Sequence, residues 1–300
     1  MLLEKTKADT GLRLTRRSFA AGALSLLAVP QVLAAPNARR IICLDYGLAQ
    51  TLIELGAVPL GLVNANDWDR WCGEPALPDS VVNIGATTDV NMSLLVQLKP
   101  DLIVSTPFLE AYRSQLERIA PVESFPIHNV GGSPYPHILA ATRKLAELTG
   151  LVSEGEALIA RTESQIAAAY DKVAPLRGKP LVFVSFLDTR HVRVYGPGGN
   201  YQDVLDLLEL TNGWNGASNS WGFATVGYEQ LPPDPDVTLF CMEDVPPDVF
   251  PTLEGSPLWN SLPFVKAGAV YRLPHCFMFG TLPSMSRFAR ILSEAAVHHA

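Results

Sequence analysis

Two runs of alternating strand-like and helical segments, separated by one long helical stretch, constrain the fold of this chain more than any single motif. The first run opens with RIICLD, a short β-branched segment ending in an acid, followed by LAQTLIELG with helical spacing. Leu48, Leu52 and Leu55 fall on one face there, and Gly56 suits the C-terminal stop. The strand-like runs VPLGLV, DLIVST and VESFPI then alternate with NMSLLVQLKP and EAYRSQLERIA. Alternation with connections this short predicts parallel pairing in an α/β sheet. Around residue 150 the pattern changes. Ser153-Glu154-Gly155-Glu156 reads as a capping box, with Ser153 capping and Glu156 reaching back. Leu158, Ile159, Ile166, Ala169, Tyr170 and Val173 follow as a stripe at helical spacing, ended by Pro175 and Gly178-Lys179-Pro180. Strand–helix alternation restarts with LVFVSFLD and continues to AVYRLP before the closing helix SMSRFARILSEAA. The expectation is therefore two α/β lobes, residues 35–150 and 178–300, joined by one rigid helix over 151–177 of roughly 20–24 residues. With no Gly/Ser-rich linker between them, such lobes would close little, and a ligand would meet a largely preformed cleft.

The first 34 residues read as an address rather than part of the fold. Thr15-Arg16-Arg17-Ser18-Phe19 precedes an apolar run from Ala20 to Val29, then Pro30 and a small-residue site ending at Ala34. A basic start, a short apolar middle and an A-x-A-like end make a signal peptide. The arginine pair with Phe19 points to twin-arginine export, cleavage after Ala34 and a mature chain in the periplasm; an ordinary secretory signal is the alternative. The segment carries five basic residues and two acidic ones, so its removal makes a chain of net charge −7 more acidic still. Nucleic acid is excluded as a partner, because phosphate binding needs a basic face. With 48% hydrophobic and 18% charged residues, disorder is excluded too.

Few residues carry chemistry. The histidines (His128, His137, His191, His275, His298, His299) form no metal-binding spacing and read as ordinary surface or turn residues. Cys43, Cys72, Cys241 and Cys276 show no C-x-x-C pair and read as free thiols, with a Cys43–Cys72 bridge as the alternative. Gly196-Pro197-Gly198-Gly199-Asn200 is either an anion cradle or a plain turn with Asn200 as helix cap. The aromatic residues in segments after strands stand out. Tyr46, Trp68, Trp71 and Phe108 lie in the first half, and Trp221, Phe223, Phe277 and Phe279 in the second. In open α/β sheets ligands bind beyond the carboxyl ends of strands, where these loops gather, so the set predicts a cleft lined with rings.

Several strings, taken together, resemble the periplasmic binding proteins of iron–siderophore ABC importers, and within them the iron–hydroxamate (ferrichrome) binding branch. They are Trp71-Cys72-Gly73-Glu74-Pro75 with Leu77-Pro78-Asp79-Ser80-Val81, Ile84-Gly85, Asp188-Thr189-Arg190-His191, Tyr195-Gly196-Pro197, Asn219-Ser220-Trp221-Gly222, Ser256-Pro257-Leu258-Trp259, Leu262-Pro263-Phe264-Val265-Lys266-Ala267-Gly268, Phe279-Gly280 and Arg287-Phe288. The resemblance implies a bilobal class III binding-protein fold and no catalysis. It also implies no cofactor and no protein metal ligands, since the siderophore's own oxygens hold the iron. Trp71, Trp221, Phe277 and Phe279 fall where that branch places tryptophan or tyrosine. Thr87 stands in place of an arginine that contacts hydroxamates, so Arg70, Arg113 or Arg190 would have to replace it, or the ligand is more apolar or of another kind. Leu109, beside Phe108, stands where a cleft tyrosine is expected. Docking to the membrane permease is implied for Glu229, by its Glu-Gln-Leu context; Ser93 occupies the first-lobe position, with Glu110 or Glu117 as substitutes. The expected function is delivery of a ferric siderophore, of hydroxamate type, to an inner-membrane ABC importer by a monomeric carrier. A catecholate, haem or cobalamin complex is the alternative cargo, and an exported hydrolytic enzyme using His191 or His275 as a base is a further one.

Overall fold

The computed structural model describes residues 39–243 and 245–297; the signal segment lies outside them. The first half comprises β1 (Ile41–Cys43), α1 (Tyr46–Leu55), β2 (Gly61–Leu62), α2 (Trp68–Trp71), β3 (Val82–Asn83), β4 (Gly85–Ala86), β5 (Asp89–Val90), α3 (Met92–Leu98), β6 (Leu102–Ser105), α4 (Arg113–Leu116), β7 (Val122–Ser124) and α5 (Tyr135–Thr149). Its main sheet has the order β3-β2-β1-β6-β7 with every pair parallel. β1 and β6 are buried throughout, as expected of parallel strands covered on both faces. Both ends of α1 are set by local chemistry. The Asp45 carboxylate accepts the Leu48 N–H at 2.9 Å, and Gly56 takes a left-handed φ of 83° that costs it little.

α6 (Val152–Tyr170) leads into the second half: β8 (Pro180–Phe186), β9 (His191–Tyr195), α7 (Asn200–Leu207), β10 (Thr211–Asn212), β11 (Phe223–Gly227), β12 (Thr238–Met242), α8 (Val249–Glu254), α9 (Pro257–Ser261), α10 (Pro263–Lys266), β13 (Val270–Leu273) and α11 (Leu282–Val297). Here the sheet is mixed. β8, β12 and β13 run parallel, but β9 is antiparallel to both β8 and β11. The all-parallel expectation fails at this edge because only residues 187–190 separate β8 from β9, a connection long enough for a hairpin and far too short for a crossover.

α6 is shorter than the expected 151–177. It ends at Tyr170, and Ala174–Leu176 form a separate 3-10 turn, because Pro175 lacks an N–H and disfavours the helical conformation before it. The capping box is also absent. The helix begins one residue earlier than Ser153, whose hydroxyl donates to Glu154, while Glu156 pairs with Arg143 of α5. Its apolar stripe (Leu158, Ile159, Ile166, Ala169) is buried. α6 packs against α1 and α5 of the first lobe and against α7 and α11 of the second.

A single apolar core runs through both lobes. Ile42, Leu52 and Leu62 belong to the same cluster as Phe183, Tyr201, Phe240 and Phe288, with the Tyr201 and Phe288 rings stacked at 4.1 Å. β8 shows why. Leu181 and Phe183 face this shared core, while the alternate residues Val182, Val184 and Phe186 face a second cluster with Trp259 and Phe264. A buried polar seam joins α1 to the start of α11. Thr281 donates to the Gly47 carbonyl at 2.8 Å, and Ser284 donates to Gln50 at 2.9 Å. Lobes that share a core and such a seam resist sliding or opening, unlike domains in small polar contact. The four cysteines are free and buried; Cys43 donates to the Asp45 carbonyl rather than bridging to Cys72. Among the described residues no helix is long and apolar enough to cross a membrane.

Candidate functional site

The carboxyl ends of β1, β2, β6 and β7 open onto a cleft of about 700 Å³, whose second wall comes from β9, β11 and the segment after β13. Eight of the ten residues expected there line it: Tyr46, Trp71, Thr87, Phe108, Trp221, Phe223, Phe277 and Phe279. Their rings form a connected edge-to-face set. Tyr46 meets Phe277 at 5.6 Å, Phe277 meets Phe279 at 5.9 Å, Phe279 meets Trp221 at 5.5 Å, and Trp221 meets Phe108 across the mouth at 6.4 Å. Trp221 is positioned by backbone geometry. The Asn219 carboxamide accepts its N–H at 2.9 Å, and Gly222 (φ 78°) packs onto Gly199 so closely that a Cβ would lie 2.2 Å from the Gly199 nitrogen. That contact uses the glycine-rich turn; α7 starts at Asn200 with Gly199 as its cap, so Asn200 is not the capping residue.

Two expected residues lie elsewhere. Trp68 is 1% exposed, donates its indole N–H to the Pro75 carbonyl at 2.8 Å, and packs edge-on behind Tyr46 at 5.7 Å. The single turn of α2 turns Trp68 inward and Trp71 toward the cleft. Arg190 sits in the β8–β9 hairpin, where its carbonyl accepts the Tyr228 N–H, at the end of β9 remote from the cleft. The other expected arginines are engaged too. Arg113 pairs with both Glu110 and Glu117, and Arg70 lies over the Trp71 ring at 5.0 Å. Leu109 is buried in the core, which leaves Phe108, 64% exposed, to face the opening.

The arginine in the cleft is Arg193, three residues into β9. It stands diagonally across from Phe223, whose ring it covers at 4.5 Å. Its Nε is buried and has no hydrogen-bond partner, and among the described residues no carboxylate forms an ion pair with it. The signal for it was present in HVRVYG, where Val192 and Val194 alternate with His191, Arg193 and Tyr195 and mark a two-faced strand.

Polar groups line the first wall. Asn64 donates to the Thr87 hydroxyl at 2.9 Å, and its own carbonyl accepts from Tyr46 at 2.6 Å. His128 is not an ordinary surface histidine. It lines the cleft, its Nε2 bonds the Phe279 carbonyl at 2.9 Å, and burial lowers its pKa to about 4, so it is neutral at physiological pH. Asp45 also lines the cleft, and burial pushes its pKa up to about 6 against the opposing hydrogen bonds from Leu48 and Gly47. Glu229 is exposed on the 3-10 turn after β11, about four strand residues beyond Phe223.

Comparison with known proteins locates this architecture. A family model described as "Periplasmic binding protein" matches residues 41–275. The iron(3+)-hydroxamate-binding protein FhuD of Escherichia coli (strain K12) is 31% identical over 262 residues, covering 87% of this chain and 88% of that protein. The achromobactin-binding periplasmic protein of Dickeya dadantii (strain 3937) is 28% identical, covering 75% of this chain and 74% of the relative. Among solved structures, the siderophore-binding protein FhuD from Vibrio cholerae, bound to Fe3+-Desferal, superimposes with a TM-score of 0.79 at 22% identity, covering 87% of this chain and 99% of that one.

Proposed function

Since the chain belongs to the periplasmic binding protein family, whose members bind substrates for ABC transporters and are not enzymes, we propose that its cleft captures a ferric siderophore of hydroxamate type and delivers it to an inner-membrane permease. The observation that carries this reading is Arg193, a guanidinium with a buried unpaired Nε set among rings. A ferric trishydroxamate presents a ring of oxygen acceptors with no net charge at the metal. One guanidinium donates several hydrogen bonds to such a face, and a flat, ring-lined cleft covers the rest at small entropic cost. A ferric triscatecholate carries three negative charges and calls for a cluster of cations. Arg193 thereby takes over the role left open by Thr87.

The mature carrier, exported by the twin-arginine route and cleaved after Ala34, would work as a monomer in the periplasm. Glu229 on the second lobe and Glu110 or Glu117 on the first would meet the permease. Glu229→Ala is then expected to leave chelate affinity unchanged and to impair iron-dependent uptake in whole cells; equal loss of both would make Glu229 a ligand or fold residue.

Tryptophan quenching against a panel of ferric trishydroxamate, ferric triscatecholate, haem and cobalamin tests the cargo. The proposal expects saturable quenching by the hydroxamate at the lowest concentration. Preferential quenching by any other member of the panel contradicts it.

A further inference from the structure

Among the described residues Asp45 is the one acid on the cleft wall, and its role as helix cap uses only part of it. Its Oδ1 accepts from Leu48, and the side chain is half-buried yet borders the cleft. Among the described residues no arginine, lysine or histidine lies within ion-pair distance of it. Its surroundings on the cleft side are rings. Tyr46 and Phe277 meet edge to face at 5.6 Å beside it. At Gly47 the Phe279 carbonyl, the Thr281 methyl and the Asp45 Oδ1 close to 2.9, 3.2 and 3.3 Å of where a Cβ would stand, so that side of the carboxylate is packed and a ligand would meet it from the side that borders the cleft. A carboxylate in an aromatic surround, with no cation within ion-pair distance among the described residues, matches the recognition chemistry of an alkylammonium group.

We infer that Asp45 forms a cation subsite that takes the pendant ammonium of a basic siderophore, so that the cleft ranks ferric hydroxamates by the charge of the group they carry away from the iron. This rests on the hydroxamate reading above and deepens it. Arg193 on the second wall addresses the coordination sphere, and Asp45 on the first wall addresses the tail. A chelate with a carboxylate tail is disfavoured at the same place by like-charge repulsion.

The groups around Asp45 set the pH range. Cys43 of β1 and Cys72, just after α2, are thiols whose pKa values burial raises, so both stay neutral. Tyr46 of α1 is raised likewise, and His128 beyond β7 is neutral above about pH 4. Arg193 faces the cleft from the other lobe. Asp45, titrating at about 6, is thus the group that changes charge between about pH 5 and 7.5, while an alkylammonium stays charged throughout.

The test compares a linear ferric trihydroxamate bearing a free terminal amine with the same chelate N-acetylated, by fluorescence titration of the wild type and of Asp45→Asn. Asparagine also caps helices, so the variant keeps α1, which circular dichroism and thermal melting confirm. At about pH 7.5 the amine form is expected to bind about tenfold more tightly than the acetylated form, as for a partly desolvated charge pair. At about pH 5 the gap shrinks to about twofold or less, and in Asp45→Asn it disappears at both pH values. Calorimetry at about pH 6 in buffers of different ionisation enthalpy should show proton release for the amine form alone. Equal affinity of the two forms for the wild type at about pH 7.5, or a gap that persists in Asp45→Asn, overturns the subsite and leaves the hydroxamate reading standing. Binding of neither form overturns both.

Discussion

Two cavities of similar size, both lined by described residues, differ in what their walls leave unspent. The first is the cleft between the lobes, about 700 Å³. The second is a groove of about 830 Å³ on the helical side, lined by α1, α6 and α11. The larger one carries more charge, yet its arginines are already engaged: Arg161 with Glu54, Arg287 with Glu74, and Arg290 with Glu74 and Glu294. These are interactions within the fold, along α11 or between helices and loops that must stay together. The cleft holds fewer charges and a set of rings, and its one arginine lacks a carboxylate partner among the described residues. Volume does not mark a binding site here. Unmet donors and uncovered rings do.

The sharpest way to break this contrast is at Arg193. Arg193→Ala is expected to weaken hydroxamate binding by about 2–3 kcal/mol, from one lost charge-assisted set of hydrogen bonds, or about 30- to 150-fold in Kd by titration; Arg193→Lys should fall between the two. Trp221→Ala should cost about 1–3 kcal/mol through lost ring contact, and an unchanged Kd would remove Trp221 from the site.

His128 tests whether the floor of the cleft behaves as a buried surface. Its folded pKa of about 4 lies below the ordinary value of 6.5, so the unfolded chain takes up the proton first. Stability is therefore full above about pH 6.5 and falls as pH drops toward 4, by about 2 kcal/mol at about pH 5. Thermal melts of His128→Gln should show a flatter fall over that window; an unaltered slope would place the imidazole in solvent. The smallest effect belongs to the groove. Glu74→Gln weakens two pairs whose shared carboxylate is half exposed, so it should lower Tm by no more than about 2–4 °C and leave chelate affinity untouched.

Much of this was legible in the sequence where the controlling forces are local. The alternation of apolar runs predicted the parallel first sheet, Gly56 marked the end of α1, and seven of the eight post-strand aromatics gathered into one cleft. What escaped depends on longer-range choices. Trp68 and Trp71 share one loop and one residue type, and only the packing of Tyr46 and Pro75 decides that Trp68 turns inward. Arg190 and Arg193 are three apart, and which one reaches the cleft depends on β9 running antiparallel to β8, hidden from a reading that expected crossovers. Asp45 was legible as an acid ending a strand, whereas its exposure to the cleft follows from where α1 meets the loop holding Phe279. Ser153 carries the residue type of a cap but does not act as one, because the helix begins one residue before it and its hydroxyl turns to Glu154.

The most direct measurement is the visible spectrum of the protein after gel filtration with excess ferric trishydroxamate. The ligand-to-iron charge-transfer band is expected to travel with the wild-type protein at one chelate per chain and to be lost from Arg193→Ala. A band absent from the wild type, or retained in full by Arg193→Ala, would contradict this expectation.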